Sequence, residues 1–255
     1  QCMSGMFSVN GTPESGPTRI GVPVVDMTTG LYAVTGILMA IIERQRSGLG
    51  QFVEVPLYDS ALSFMHPHAP NYFLSGKLPK LTGNAHPNIS PYDTYATGTV
   101  PVFLAIGNDG AFRKLCQVLG KPELASDPRY RTNGDRLVNR AALKVDLEAL
   151  LAPHDGDALS TEFLAAGLPA GAIRTLDAAL SDPQAVYRGT VIEKDWYKGI
   201  NTPLRFSRSE AAIRHLPPKL GENGKAILHE AGLSETDIEA LEKNGIVNLS
   251  GKPAT

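Results

Sequence analysis

Charge of one sign is not in surplus. Lys and Arg number 24 against 26 Asp and Glu, a net charge of −2. So even a balance supplies no field to draw nucleic acid or an anionic membrane surface, and neither is expected as a partner. Cysteine is scarce. Cys2 and Cys116 stand far apart without a CxxC spacing, a pattern that fits reduced thiols in a cytoplasmic protein better than a disulfide framework. No signal peptide is recognised at the start, and no apolar run approaches the length that spans a bilayer, so no membrane role is expected. Repeats and low-complexity tracts are missing too. His66 and His68 are spaced as a metal pair, but no nearby Cys or third His completes a site, so no metal is expected.

What is present is an ordinary globular composition. With 255 residues, 42% hydrophobic and 20% charged, the chain can bury a large core as one or two domains. Its organising stretch is Gly21-Val22-Pro23-Val24-Val25-Asp26-Met27-Thr28-Thr29-Gly30, running on to Gln45. The apolar run Val22–Val25 reads as a strand that ends on one acid. Leu31, Val34, Leu38 and Ile41 then recur at helical spacing as an amphipathic stripe. Gly30, Ala33, Gly36 and Ala40 form a second, small-residue row, against which another backbone can lie. Asp26 thus stands where a strand hands over to a helix. Asp is a preferred N-cap, and a capping role is one reading of it. The other is chemical: free N–H groups and the positive end of the helix dipole favour an ionised carboxylate there, and such a group is a plausible nucleophile.

The same block, with Gly36-Ile37-Leu38, Glu43-Arg44 and Ser47-Gly48-Leu49-Gly50-Gln51, resembles the central part of the class III CoA-transferases, the CaiB/BaiF family. The resemblance runs without a gap from Gln1 to about Asp59. It implies that Asp26 is the catalytic aspartate and that Leu57 lines the CoA pocket. It also implies that Gly83-Asn84…His86-Pro87…Pro91-Tyr92 opens a small domain facing the active site, with Gly83 and His86 as candidate CoA contacts. His86 reads equally well as a packing residue of its loop. The formyl-CoA type has a cluster of glycines in that loop; here only Gly83 is present, which disfavours that type. Asp182-Pro183-Gln184…Arg188-Gly189 matches the family as well. Because the chain opens like the middle of a family member, the resemblance implies a fragment or processed product, with most CoA contacts upstream.

The implied fold is α/β: the remainder of a Rossmann-like large domain (1–65), a linker (66–82), a small α/β domain (83–190) and a return segment (191–255), in an interlocked homodimer. Local signals fill this in. Phe52–Val55 alternates as a strand, and Pro56 opens a helix at Leu57 that continues to Met65. Pro67, Pro70 and Pro79 make His66–Thr82 a poor regular helix. Tyr92–Ala96 and Val100–Ile106 read as a hairpin, with Asn108 or Asp109 capping a helix over Phe112–Leu119. One helix from Asn133 or Asp135 places Leu137, Ala141, Leu143 (or Leu147) and Leu150 on one side. Asp155-Gly156-Asp157 caps another helix, Leu159–Ala166. Thr190–Trp196 and Arg205–Phe206 read as strands, Tyr187 and Trp196 as core or interface, and Ser234 with Asp237 as the capping box of a final helix. Ser250–Thr255 is a polar end.

The chemistry implied by the resemblance is transfer of CoA from an acyl-CoA to a carboxylic acid, through an aspartyl anhydride and an aspartyl-CoA thioester. It needs no metal or redox cofactor. It does need a water-poor pocket and oxyanion donors, which N–H groups near Thr28–Gly30 or in the Gly83 loop would supply. Two alternatives stand beside it: an α-methylacyl-CoA racemase of the same family, whose partnering His would lie upstream, and a truncated, non-catalytic fragment.

Overall fold

The computed structural model describes residues 1–209 and 213–249; the polar end at 250–255 lies outside them. After a turn of 3-10 helix at Met6–Val9, the chain closes a loop through a two-residue antiparallel ladder of β1 (Gly11–Thr12) and β2 (Gly16–Pro17). It then enters α1 (Val24–Ser47). The expected strand before Asp26 does not form. Val24 and Val25 are the first two residues of the helix, and Pro23, with its fixed φ of −74°, stands at the N-cap. The stop is as expected: Gly48 takes φ 77° and returns its N–H to the Arg44 carbonyl, with Arg44 and Arg46 in the last turn.

The face that α1 turns inward is not the expected one. Leu31, Val34, Leu38 and Ile41 are 69%, 57%, 55% and 36% exposed, whereas Ala33, Gly36 and Ala40 are half-buried. The small-residue row admits neighbours closely, as expected of it: a methyl group at Gly36 would stand 3.0 Å from Val53. The expectation that no apolar run is long enough to span a bilayer is also corrected. α1 has 24 residues, a mean hydropathy of 1.6 over its most apolar window, and only 11% of that window buried. Its length and composition alone reach the spanning threshold, because the only acids are near its two ends.

Phe52–Val55 is extended but unpaired, with Phe52 exposed, so the expected strand has no ladder. α2 (Leu57–Ser63) starts after Pro56 as expected but stops two residues short of Met65. The Pro-rich stretch is more ordered than its composition suggests. It carries α3 (His68–Ser75), which tolerates Pro67 and Pro70 because both fall at the helix start, where a missing N–H costs nothing. Met6, Val25 and Ala61 bury one another, with Ile20, Val24 and Met65 around them.

A larger core follows. β3 (Tyr92–Tyr95) and β4 (Val102–Ala105) form the expected hairpin, and β5 (Ala170–Ala172) adds antiparallel to β4. α4 (Asp109–Val118) is capped by Asn108, whose side chain accepts from Ala111 N–H at 2.9 Å. The long helix expected beyond Asn133 is two: α5 (Asn133–Val138), opened by a Thr132/Asp135 capping box, and α6 (Arg140–Leu151). The break moves the buried stripe by one residue, so Leu143, Leu147 and Leu151 are in the core and Leu150 is only half-buried. α7 (Gly156–Ala165) is capped by Asp155 as expected, although it begins three residues early. Gly156 is required there: a Cβ would sit 2.0 Å from the Val100 carbonyl oxygen. The cluster includes Val102, Leu104, Phe112, Leu147 and Phe163 and joins the sheet to α4, α6 and α7. Arg136 is fully buried beside it. Its guanidinium donates to the Ser90 carbonyl (2.6 Å), the Tyr130 carbonyl (2.9 Å) and the Asp109 carboxylate (2.7 Å), and lies 4.5 Å above the Phe112 ring.

Residues 1–173 form one compact unit, and the described residues from 174 onward a second. The second opens with α8 (Leu176–Leu180) and α9 (Pro183–Tyr187), which begins on Asp182-Pro183 as expected. β6 (Val191–Lys194) and β7 (Tyr197–Ile200) form a hairpin turning at Asp195, which takes φ 52°, so Trp196 is in the turn rather than in a strand. Arg205–Phe206 forms no strand. Tyr187 and Trp196 are exposed instead of forming a core within this unit, and Trp196 stacks with Tyr197 and lies under Lys219 Nζ at 5.7 Å. α10 (Gly224–Glu230) and α11 (Glu235–Lys243) end the described chain, α11 opened by the Ser234/Asp237 box.

Candidate functional site

Asp26 is the third residue of α1 and is exposed. No side chain caps this helix, so the capping reading of Asp26 does not hold. Its position is fixed from below: Val25, the residue before it, is pinned against Met6 and Ala61. The chain start is held near it, because the Gln1 side chain accepts from Ile20 N–H at 2.9 Å. Thr28 and Thr29 turn their hydroxyls onto the carbonyls of Val24 and Val25, at 2.7 Å each, and so bind their own helix rather than a ligand.

Asp26 and Leu57 line one cavity of about 490 Å³, together with Cys2, Ser4, Val25 and Tyr58. Two of the expected site residues are therefore brought together, one from the start of α1 and one from the start of α2. The expected oxyanion donors are corrected. Thr28–Gly30 lie beyond the first turn of α1, where backbone N–H groups belong to the helix ladder. Gly83 N–H is likewise taken, by the Gly11 carbonyl at 2.8 Å. The first turn is the better donor. Val24 N–H reaches the Val22 carbonyl and Met27 N–H the Pro23 carbonyl, which leaves Val25 and Asp26 as the first-turn N–H groups without a backbone acceptor.

Gly83 and His86 are not in the wall of this cavity. Gly83 takes φ 61° in a tight turn against Thr12. His86 is half-buried; its Nδ1 accepts from Asn88 N–H (3.1 Å), its carbonyl accepts from Arg140 (2.6 Å), and its ring lies 5.0 Å from that of Tyr92. Burial pushes its pKa down, and the charges of Arg140, His68 and His66 push the same way. These contacts pack His86 within its loop. Cys2 and Tyr58 were not singled out from sequence. Tyr58 follows Leu57 on α2 and had a positional signal, whereas Cys2 had none. Among the described residues no group of three or more His, Cys, Asp or Glu is placed to hold a metal ion.

The profile of CoA-transferase family III matches residues 1–224. Succinate–glutarate CoA-transferase of Agrobacterium fabrum is 35% identical over 235 residues, covering 90% of this chain and 59% of that protein. Succinyl-CoA–D-citramalate CoA-transferase of Chloroflexus aurantiacus is 33% identical over 254 residues, 97% of this chain and 63% of the other. Among solved structures, a CaiB/BaiF family protein from Brucella suis superposes with a TM-score of 0.74 at 42% identity, over 90% of this chain and 61% of that one. The chain thus spans about three-fifths of the length of these relatives.

Proposed function

The chain belongs to CoA-transferase family III, and from that premise we propose that it carries the nucleophile of an enzyme that moves CoA from an acyl-CoA to a carboxylic acid. An Asp26 oxygen attacks the thioester carbonyl; the C–S bond breaks, and CoA leaves as thiolate from an acyl-aspartyl anhydride. The thiolate attacks the aspartyl carbon, the first acid departs as carboxylate, and an aspartyl-CoA thioester remains. The incoming carboxylate attacks this thioester, forming a new anhydride and releasing the thiolate. The thiolate then attacks the acyl carbon of the new acid, giving the new acyl-CoA and a free Asp26 carboxylate. Electrons and atoms balance without a redox partner.

The observation that carries this reading is the placement of Asp26 and Leu57 on one cavity. The first-turn N–H groups of Val25 and Asp26 and the α1 dipole favour negative charge at that spot. The named relatives are transferases, which supports transfer over racemisation, and their names give succinate, glutarate and citramalate as acids. A short dicarboxylic acid is accordingly the proposed acceptor class. A division into a large-domain part (1–65), a linker (66–82), a small domain (83–190) and a return segment (191–255), a cytoplasmic location and an interlocked homodimer complete the proposal. The exposed apolar face of α1 supports assembly, and a monomer by light scattering at micromolar concentration overturns that part.

Asp26→Ala is the deciding variant. Because Asp26 caps nothing, the substitution removes no cap hydrogen bond, and the melting temperature is expected to stay put. Exchange of labelled CoA and hydroxylamine trapping on Asp26 are both expected to vanish, since the covalent route goes with the nucleophile. Unimpaired exchange in this variant ends the proposal.

A further inference from the structure

α3 is joined to the loop before β3 by a reciprocal amide pair. Asn71 Nδ2 donates to Asn88 Oδ1, and Asn88 Nδ2 to Asn71 Oδ1, both at 3.0 Å. The backbone of Asn88 is held from two sides. Its carbonyl accepts from Asn133 Nδ2 at 2.9 Å, and its N–H donates to His86 Nδ1 at 3.1 Å. The second bond fixes the state of the imidazole. A ring nitrogen that accepts carries no hydrogen, so His86 is neutral here, with its one proton on Nε2. A proton that charges the ring goes to Nδ1 itself, where it sets two donors face to face. The charges acting on His86 are all positive: Arg140 of α6, which donates to the His86 and Ile89 carbonyls, and His68 and His66 at and before the start of α3. The Tyr92 ring of β3 lies against it at 5.0 Å. No carboxylate is among these groups to stabilise an imidazolium. His68, one turn before Asn71 on α3, is no better placed to charge: its Nδ1 is buried without a hydrogen-bond partner.

We propose that α3 and the loop 82–90 form an acid-opened latch: a proton taken up at His86 Nδ1 expels the Asn88 N–H, Asn88 leaves Asn71, and α3 is released, with His68 taking a second proton as its ring reaches water. α3 lies in the segment 66–82 proposed above as a linker, so the latch sets how firmly that segment is tied to the chain that follows. The inference is independent of the transferase reading. While α3 is seated, burial pushes the pKa of both rings below their ordinary 6.5, and for His86 the neighbouring cations push the same way. Released, the rings return to the ordinary value. Release therefore takes up protons. The seated form is at full strength above pH 6.5 and loses ground as pH falls toward the lower seated values, by up to about tenfold per pH unit for each histidine.

The test is hydrogen exchange on the intact protein, read as protection factors so that the pH dependence of the chemical exchange rate cancels. Between pH 7.5 and 5.5 the α3 amides are expected to lose about 10- to 100-fold in protection, the range for one to two protons, while those of β4 and α6 hold. His86→Asn keeps an oxygen to accept from Asn88 N–H and takes no proton. It is expected to keep most of the α3 protection at pH 5.5, and His68→Leu added to it to keep the rest. Asn71→Ala cuts the latch without touching a histidine, and is expected to lower α3 protection about 10-fold already at pH 7.5. Four results overturn the proposal: α3 protection in the parent that is the same at both pH values, a pH dependence that persists in the double variant, α3 protection unchanged at pH 7.5 in Asn71→Ala, or loss of protection in β4 and α6 together with α3, which is acid unfolding of the whole unit.

Discussion

The sheet of β3, β4 and β5 with α4, α6 and α7 closes over its own apolar residues: Val102, Leu104, Leu143, Leu147, Leu151 and Phe163 are all buried by neighbours from the same stretch of chain. α1 behaves in the opposite way. It is the longest helix described and among the most apolar, yet Val25 and Thr28 are its only buried residues. The difference is not one of helix signals, since α1 has a proper stop and a clear periodicity. It is one of partners. The first region meets every surface it needs within about eighty residues of sequence; the broad side of α1 meets none among the described residues. A helix can be fully specified locally while most of its stabilising contacts are specified elsewhere.

The contrast makes predictions that differ greatly in size. The largest concerns Arg136. Arg136→Leu keeps the bulk but orphans the carbonyls of Ser90 and Tyr130, at about 1–3 kcal/mol each, and leaves the partly exposed Asp109 to water, so a loss of about 3–5 kcal/mol is expected. Denaturant unfolding followed by β-hairpin signals measures it. Leu147→Ala comes next, at about 3 kcal/mol for a cavity in a fully buried site. A smaller effect is expected from the capping acids. Hydrogen bonds from Thr132 and Ser234 hold the carboxyls of Asp135 and Asp237 below their ordinary 3.8. A depressed folded pKa gives stability that is present above 3.8 and is lost as pH falls through the lower folded value. Melting temperature should therefore drop more between pH 5 and 3 in the parent than in Asp237→Asn, and equal slopes would refute the box. Smallest of all is Leu38→Ala on the open face of α1, expected within about 0.5 kcal/mol by the same denaturant assay. A cost near that of Leu147→Ala would show that this face is covered in solution.

Much of the fold was legible because its signals are local. Asn108, Asp155, Asp182 and Ser234 each cap the helix they were expected to cap, and the Tyr92–Ile106 hairpin follows from its alternation. Failures cluster where the answer depends on distant chain. Phe52–Val55 has the pattern of a strand and lacks a neighbour to pair with; the α1 stripe has the pattern of a buried face and lacks a cover. Arg136 carries no sequence mark that separates it from the exposed arginines around it. Its burial depends on two backbone carbonyls, Ser90 and Tyr130, of which the first is 46 residues away. Of the candidate site residues, Asp26 and Leu57, named through family resemblance, line one cavity, and Gly83 and His86 lie outside its wall. The spacing of His66 and His68 suggested only a metal pair, because nothing local shows that one ring nitrogen of His68 is sealed off from solvent and partners.

Placing Asp26 inside the first turn of a 24-residue helix, rather than on the loop before it, has an entropic consequence. Its backbone is locked by the ladder behind it, so the carboxylate explores only its own two side-chain torsions. For the nucleophile proposed above, most of the positional freedom lost on the way to a transition state would therefore be absent before any substrate arrives.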